Sequence, residues 1–125
     1  MNINQVKSNL KMNNFYFSNY SFERQSVIED GEYNIDLEKS ITKVEEHIYN
    51  VSLKTTINKT DMKLEIISNA QFIYEAEEYS KEKSIIDTNT VAIMFPFVRS
   101  QVTLMTSQPG MTPVVLPTIN TAKLK

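Results

Sequence analysis

The sequence contains no cysteine and no tryptophan, and only one histidine and two glycines among its 125 residues. Without cysteine there is no disulfide framework, no thiolate metal site and no cysteine nucleophile, a composition suited to a reducing cytoplasm. A single histidine, His47, gives histidine-centred catalysis and metal binding almost no raw material. Gly31 and Gly110 lie far apart, so no glycine-rich loop can cradle a phosphate. No apolar run approaches the roughly 18 residues of a membrane-spanning helix. Met1–Asn14 lacks the apolar core of a secretory signal. A net charge of -2 offers neither nucleic acid nor an anionic membrane an electrostatic footprint. No cofactor, metal or catalytic constellation is expected.

What is present is a globular composition, with 41% hydrophobic and 22% charged residues, which sets the chain apart from disordered ones. Its length predicts a single domain over 1–125, small enough for association between copies to supplement a modest core. Residues 1–13 are polar and read as a loosely ordered arm. Phe15, Phe17, Tyr20 and Phe22 then predict an aromatic strand whose parity slips at Ser18–Asn19, as a β-bulge would make it. Glu29-Asp30-Gly31 is a turn signal. Tyr33, Ile35 and Leu37 alternate with Asn34, Asp36 and Glu38, the period of a half-buried strand.

Two longer alternations follow. Tyr49, Val51, Leu53, Thr55 and Ile57 share one parity, and Met62, Leu64, Ile66, Ala70, Phe72 and Tyr74 share another. Asn58–Asp61 between them has hairpin length, so these strands are expected to pair antiparallel with one face covered. From about Thr88 the period becomes helical: Val91, Met94, Phe95, Val98, Val102 and Met105 form one stripe. Ile93, Phe97 and Leu104 form a second stripe, which a sheet on one side cannot cover and a second subunit can. Pro96 predicts a kink or a break in the helix, and Pro109-Gly110 its end. Residues 111–125, with Pro113 and Pro117, are expected to form an extended tail. The fold class is therefore α+β, an antiparallel sheet with a long helix over one face.

Met94-Phe95-Pro96-Phe97-Val98-Arg99, followed by Val102-Thr103 and Gly110, resembles the helix motif of the SecB family of protein-export chaperones. Leu116-Pro117-Thr118-Ile119-Asn120 is similar to that family's proline-containing loop, and Tyr20-Ser21-Phe22-Glu23 to its first-strand motif. The resemblance spans Phe15 to Asn120. It implies a four-stranded antiparallel sheet covered by a long helix, in a cytoplasmic homo-oligomer, a dimer or tetramer, that holds unfolded or precursor polypeptides without ATP or catalysis. It also implies delivery to the motor ATPase of the Sec translocase, or service to one dedicated client such as an antitoxin. An assembly protein of a mobile element that kept the fold for oligomerisation alone is the contrasting reading.

Site residues follow from the same resemblance. Tyr33, Ile35 and Leu37 match the strand lining the client groove, with Phe95 and Phe97 as further lining; the same alternation also serves an ordinary core face. Met62, Leu64, Ile66 and Ser68 match strand positions that affect assembly, joined at the oligomer interface by Ile93 and Leu104 of the second stripe. Glu23 and Glu65 match acidic positions that receive the motor, although Asn19 stands where an acid is usual and Lys63 where a neutral residue is. The family's last helix and its Cys/His metal-binding tail have no counterpart in this sequence. His47 beside Glu45 and Glu46 lacks the second ligand or the nucleophile that a metal or general-base role needs, and the run Glu75, Glu77 and Glu78 and the Lys81-Glu82-Lys83 segment read as solvated surface.

Overall fold

A computed structural model describes residues 9–25 and 32–120 of the chain. The expected turn at Glu29-Asp30-Gly31, most of the expected arm and the last five residues lie outside them. Four strands precede one helix: β1 (Leu10–Arg24), β2 (Asn34–Glu45), β3 (Ile48–Lys59), β4 (Met62–Tyr74) and α1 (Glu82–Thr106). The sheet is antiparallel throughout, in the order β1-β4-β3-β2. The first strand therefore pairs with the last, and β1 and β2 occupy opposite edges.

Alternation decides which face is covered. Leu53 stands opposite Ser68, Thr55 opposite Ile66 and Ile57 opposite Leu64, so every second residue of both central strands falls on one face. All six are buried there. The helix lies across β3 and β4 on this face and inserts Ile86, Val91, Met94, Phe95, Val98 and Val102 into the core. The other face carries Asn50, Ser52, Lys54, Thr56, Lys63 and Glu65 and stays open.

Two boundaries, the number of bulges in β1 and the course of the helix at Pro96 differ from the sequence-based expectation. β1 starts at Leu10, inside the expected arm, because Leu10 and Met12 pair with Tyr74 and Phe72. The slip expected near Ser18 is present between Phe17 and Asn19, and a second one lies between Asn13 and Tyr16, where Asn14 takes φ 56. The helix begins at Glu82 rather than Thr88, and it runs unbroken through Pro96. Proline removes one donor from the ladder, but Pro96 and Ala92, whose carbonyl loses its partner, both lie on the exposed side where water substitutes.

Beyond α1 the tail is extended and fastened along the helix. Arg99 Nε donates to the Leu116 carbonyl (3.1 Å), and the Thr103 hydroxyl donates to that of Val114 (3.0 Å). Val114 N–H in turn donates to Thr106 Oγ1 (2.8 Å). Val114 and Leu116 are thereby held in the core. Arg24 at the end of β1 donates to the carbonyls of Pro109 and Gly110, tying the opposite edge to the same tail.

Candidate functional site

The helix covers the two central strands, so the inner face of the edge strand β2 is left half covered beside it. Tyr33, Ile35, Leu37 and Ile41 lie on that face, half-buried and packed against the core cluster. Their neighbours Asn34, Asp36, Glu38 and Ser40 point to the open face and are exposed. Among the described residues β2 pairs only with β3, which leaves the outer row of its backbone N–H and C=O groups free. An apolar row beside a free strand edge is suited to an extended peptide: main-chain hydrogen bonds give affinity, and alternate side chains find the apolar face.

The expected client-binding residues do not all meet in this groove. Phe95 is only 3% exposed and is a core side chain, not a lining one. Phe97 is 49% exposed but lies by the opposite edge, its ring centroid 5.0 Å from that of Phe15 in β1. Helix geometry makes this split inevitable, because residues two apart point to nearly opposite sides.

The expected interface set divides in a similar way. Met62, Leu64, Ile66 and Ser68 are buried beneath α1 inside the subunit, and Ser68 Oγ donates to the Leu53 carbonyl (3.2 Å). They are unavailable to a neighbouring subunit, because β4 is central and its apolar parity faces the helix. Ile93 is half-buried and Leu104 is 67% exposed. With Phe97, and with Phe15, Phe17 and Tyr20 of β1 in a chain of ring contacts, they leave a second apolar surface on the β1 side.

Glu23 and Glu65 share the open face, since Glu23 is opposite Lys63 and Ser21 opposite Glu65. Glu65 also lies 3.9 Å from Lys54. Each carboxylate thus has a lysine beside it, and the face is mixed in charge where the family resemblance implied an acidic one.

Sequence reasoning missed a buried polar cluster at the end of the groove. His47, at φ 65, turns the chain between β2 and β3 and brings its imidazole over the start of α1. Its Nδ1 lies 2.5 Å from Glu82 Oε1, and the Tyr49 hydroxyl donates to Glu82 Oε2. Tyr79 stacks on the imidazole at 4.2 Å. Burial alone raises the Glu82 carboxyl, but the hydrogen bonds from Tyr49 and His47 and the imidazole charge outweigh it and hold the carboxyl below its usual range. The Tyr49 phenol is pushed up to about 12, first by burial and then by Glu82. Glu82 is therefore a buried tie between hairpin and helix, not part of a solvated turn. No pattern in the sequence signalled it, because its partners lie more than thirty residues upstream.

A pocket of about 630 Å³ opens beside this cluster, lined by Ile41, Tyr49, Ile86, Lys43 and Lys83 among others. Its lining holds no serine, threonine or cysteine to act as a nucleophile, and the Tyr49 hydroxyl is already committed to Glu82. Among the described residues no group of three or more His, Cys, Asp or Glu is arranged to hold a metal ion. None of the described helices is long and apolar enough to cross a membrane.

Comparison with known proteins bears on this geometry. The family described as Preprotein translocase subunit SecB matches residues 3–124. A protein of Methanocaldococcus jannaschii, described as uncharacterized, is 39% identical over 46 residues, 37% of this chain. The matched segment spans 30% of that relative's length. Among solved structures, a SecB-like chaperone of Mycobacterium tuberculosis in complex with a ChAD peptide from the HigA1 antitoxin superposes with a TM-score of 0.70. It is 12% identical, over 87% of this chain and 86% of that one. A protein of unknown function from Streptococcus agalactiae has a TM-score of 0.58 at 12% identity, over 87% and 97% of the two chains. At such identities these two likenesses speak for the fold.

Proposed function

Because the chain belongs to the SecB family, we propose that it is an ATP-independent chaperone that holds unfolded polypeptide in extended form along β2. The observation that carries this reading is the free β2 edge beside the half-buried row Tyr33, Ile35 and Leu37. Segments that would otherwise pair with one another find there both a strand edge and an apolar strip. The protein acts in the cytoplasm as a dimer or tetramer, built through the surface that carries Phe97, Ile93 and Leu104. Its clients are precursor polypeptides, and Glu23 and Glu65 are the contacts offered to the translocase motor.

A dedicated client, such as an antitoxin, is the second reading. It is favoured by the lysines beside Glu23 and Glu65, which weaken an acidic docking surface, and by the antitoxin peptide bound to the M. tuberculosis chaperone of like fold.

The test is aggregation of an unfolded, slow-folding polypeptide, followed by light scattering with and without the protein. Suppression at near-stoichiometric ratio without ATP supports holding. A stable oligomer that leaves aggregation unchanged sinks it, and co-purification with a single small partner then favours the dedicated client.

A further inference from the structure

Charge is segregated across β2. Tyr33 just before the strand and Ile35, Leu37, Lys39, Ile41 and Lys43 on its inner face form one row, in which the only charges are positive, whereas Asp36 and Glu38 point to the open face. Lys43 is exposed and 3.4 Å from Glu46 at the hairpin. Lys39 differs. It is half-buried in the middle of the apolar row, between Leu37 and Ile41. Its Nζ donates to the backbone carbonyl of Asp87 in α1 at 2.8 Å, and among the described residues it has no carboxylate partner. An ammonium carries three donors and no acceptor, so two remain for another group.

We infer that Lys39 is a specificity-determining residue of the groove, selecting an extended segment with an Asp or Glu at the position facing it. The inference rests on the groove reading above and deepens it by naming the chemistry of the bound strand: apolar side chains on one parity, interrupted by a single carboxylate. Two observations and one physical consequence support it. The ammonium is fixed in place by a helix carbonyl rather than swinging in solvent, so a partner pays little ordering entropy to meet it. It sits on the apolar face, where a half-desolvated charge pair is screened less than one at the rim. A client lysine or arginine at the same register position meets a like charge in a confined space, and this repulsion excludes wrong partners as effectively as attraction selects right ones.

The test uses fluorescence anisotropy with three labelled peptides that alternate apolar and polar residues and differ only in one inward position, which is Glu, Gln or Lys. The wild-type protein is expected to bind the Glu peptide on the order of tenfold more tightly than the Lys peptide, the ratio for one partly buried charge contact. Added salt narrows that ratio. Lys39→Met binds all three peptides with equal affinity. Lys39→Glu reverses the preference, a gain of binding to the Lys peptide that a misfolded variant cannot produce. A wild-type protein that suppresses aggregation but binds all three peptides equally overturns the Lys39 assignment and leaves the chaperone reading intact. So does a preference that survives Lys39→Met. If the wild-type protein neither binds any peptide nor suppresses aggregation, the groove reading fails, and the assignment with it.

Discussion

His47 Nδ1 lies 2.5 Å from the Oε1 of Glu82, and this contact, with the hydrogen bond from Tyr49, fastens the β2–β3 hairpin to the first turn of α1. The carboxylate is only 7% exposed, so its desolvation is tolerable only while both partners are present. Glu82→Gln is expected to lower stability by about 1–3 kcal/mol, the usual cost of weakening a buried charge-assisted hydrogen bond. Tyr49→Phe falls in the same range. The urea midpoint is the measurement, and a midpoint unchanged in both variants would refute the tie.

The same cluster makes stability depend on pH at both ends. Glu82 is held below its ordinary value of 4.5. Its contribution is therefore complete above that pH and is lost as pH falls through the lowered folded value. Tyr49 shifts in the opposite direction, from 10.0 to about 12. What it adds is complete below pH 10.0 and disappears as pH rises through about 12. Tyrosinate absorbance should show one phenol ionising near the upper value, and Glu82→Gln should bring it down. Urea midpoints from pH 3 to 6 should rise less steeply in that variant than in wild type.

Thr55 is fully buried between β2 and β4, opposite Leu37 and Ile66. Its hydroxyl has no hydrogen-bond partner among the described residues. Valine has nearly the same shape without the unsatisfied oxygen, so Thr55→Val is expected to stabilise by about 1 kcal/mol. Thermal melting decides this directly: a lowered midpoint means that the hydroxyl is satisfied in solution.

Leu64 and Leu104 separate folding from association. Leu64 is fully buried beneath α1, and Leu64→Ala should cost about 2–5 kcal/mol. Association should be unchanged while the protein stays folded. Leu104 is 67% exposed on the second stripe. Leu104→Glu should leave the melting of the subunit within about 0.5 kcal/mol and reduce the mass measured by light scattering. An unchanged mass would sink the proposal that Leu104 lies in an interface between subunits.

Much of this arrangement was legible from residue parity. Tyr49 to Ile57 and Met62 to Tyr74 each keep one apolar parity, and the register pairs them as expected. The bulge at Phe17/Asn19 was visible because aromatic residues change parity across it. The one at Asn13/Tyr16 was not, since Asn13 and Asn14 have no apolar parity to slip. Parity also identifies an apolar face without saying what covers it, which is why Met62, Leu64, Ile66 and Ser68 read as interface and proved to be core. β2 extends to Glu45, well past Leu37, because Lys39 and Lys43 interrupt the apolar alternation without leaving the strand. The start of α1 was hidden in another way. Glu82 between two lysines has every local mark of solvated surface, and only the approach of His47 and Tyr49 in space makes its burial possible.

The strand order has a consequence for the time course of folding. β2, β3 and β4 are joined in sequence as hairpin-linked neighbours, whereas Leu10 must wait for Tyr74 and Arg24 for Met62. Local pairings close with little entropy cost and distant ones with more. During synthesis the earliest strand to leave the ribosome is thus the last to find its place, and its aromatic residues stay uncovered until β4 has emerged. Pulse-labelled hydrogen exchange during refolding should accordingly protect the amides of β3 before those of β1. The chain therefore spends part of its own synthesis with one of its strands unpaired.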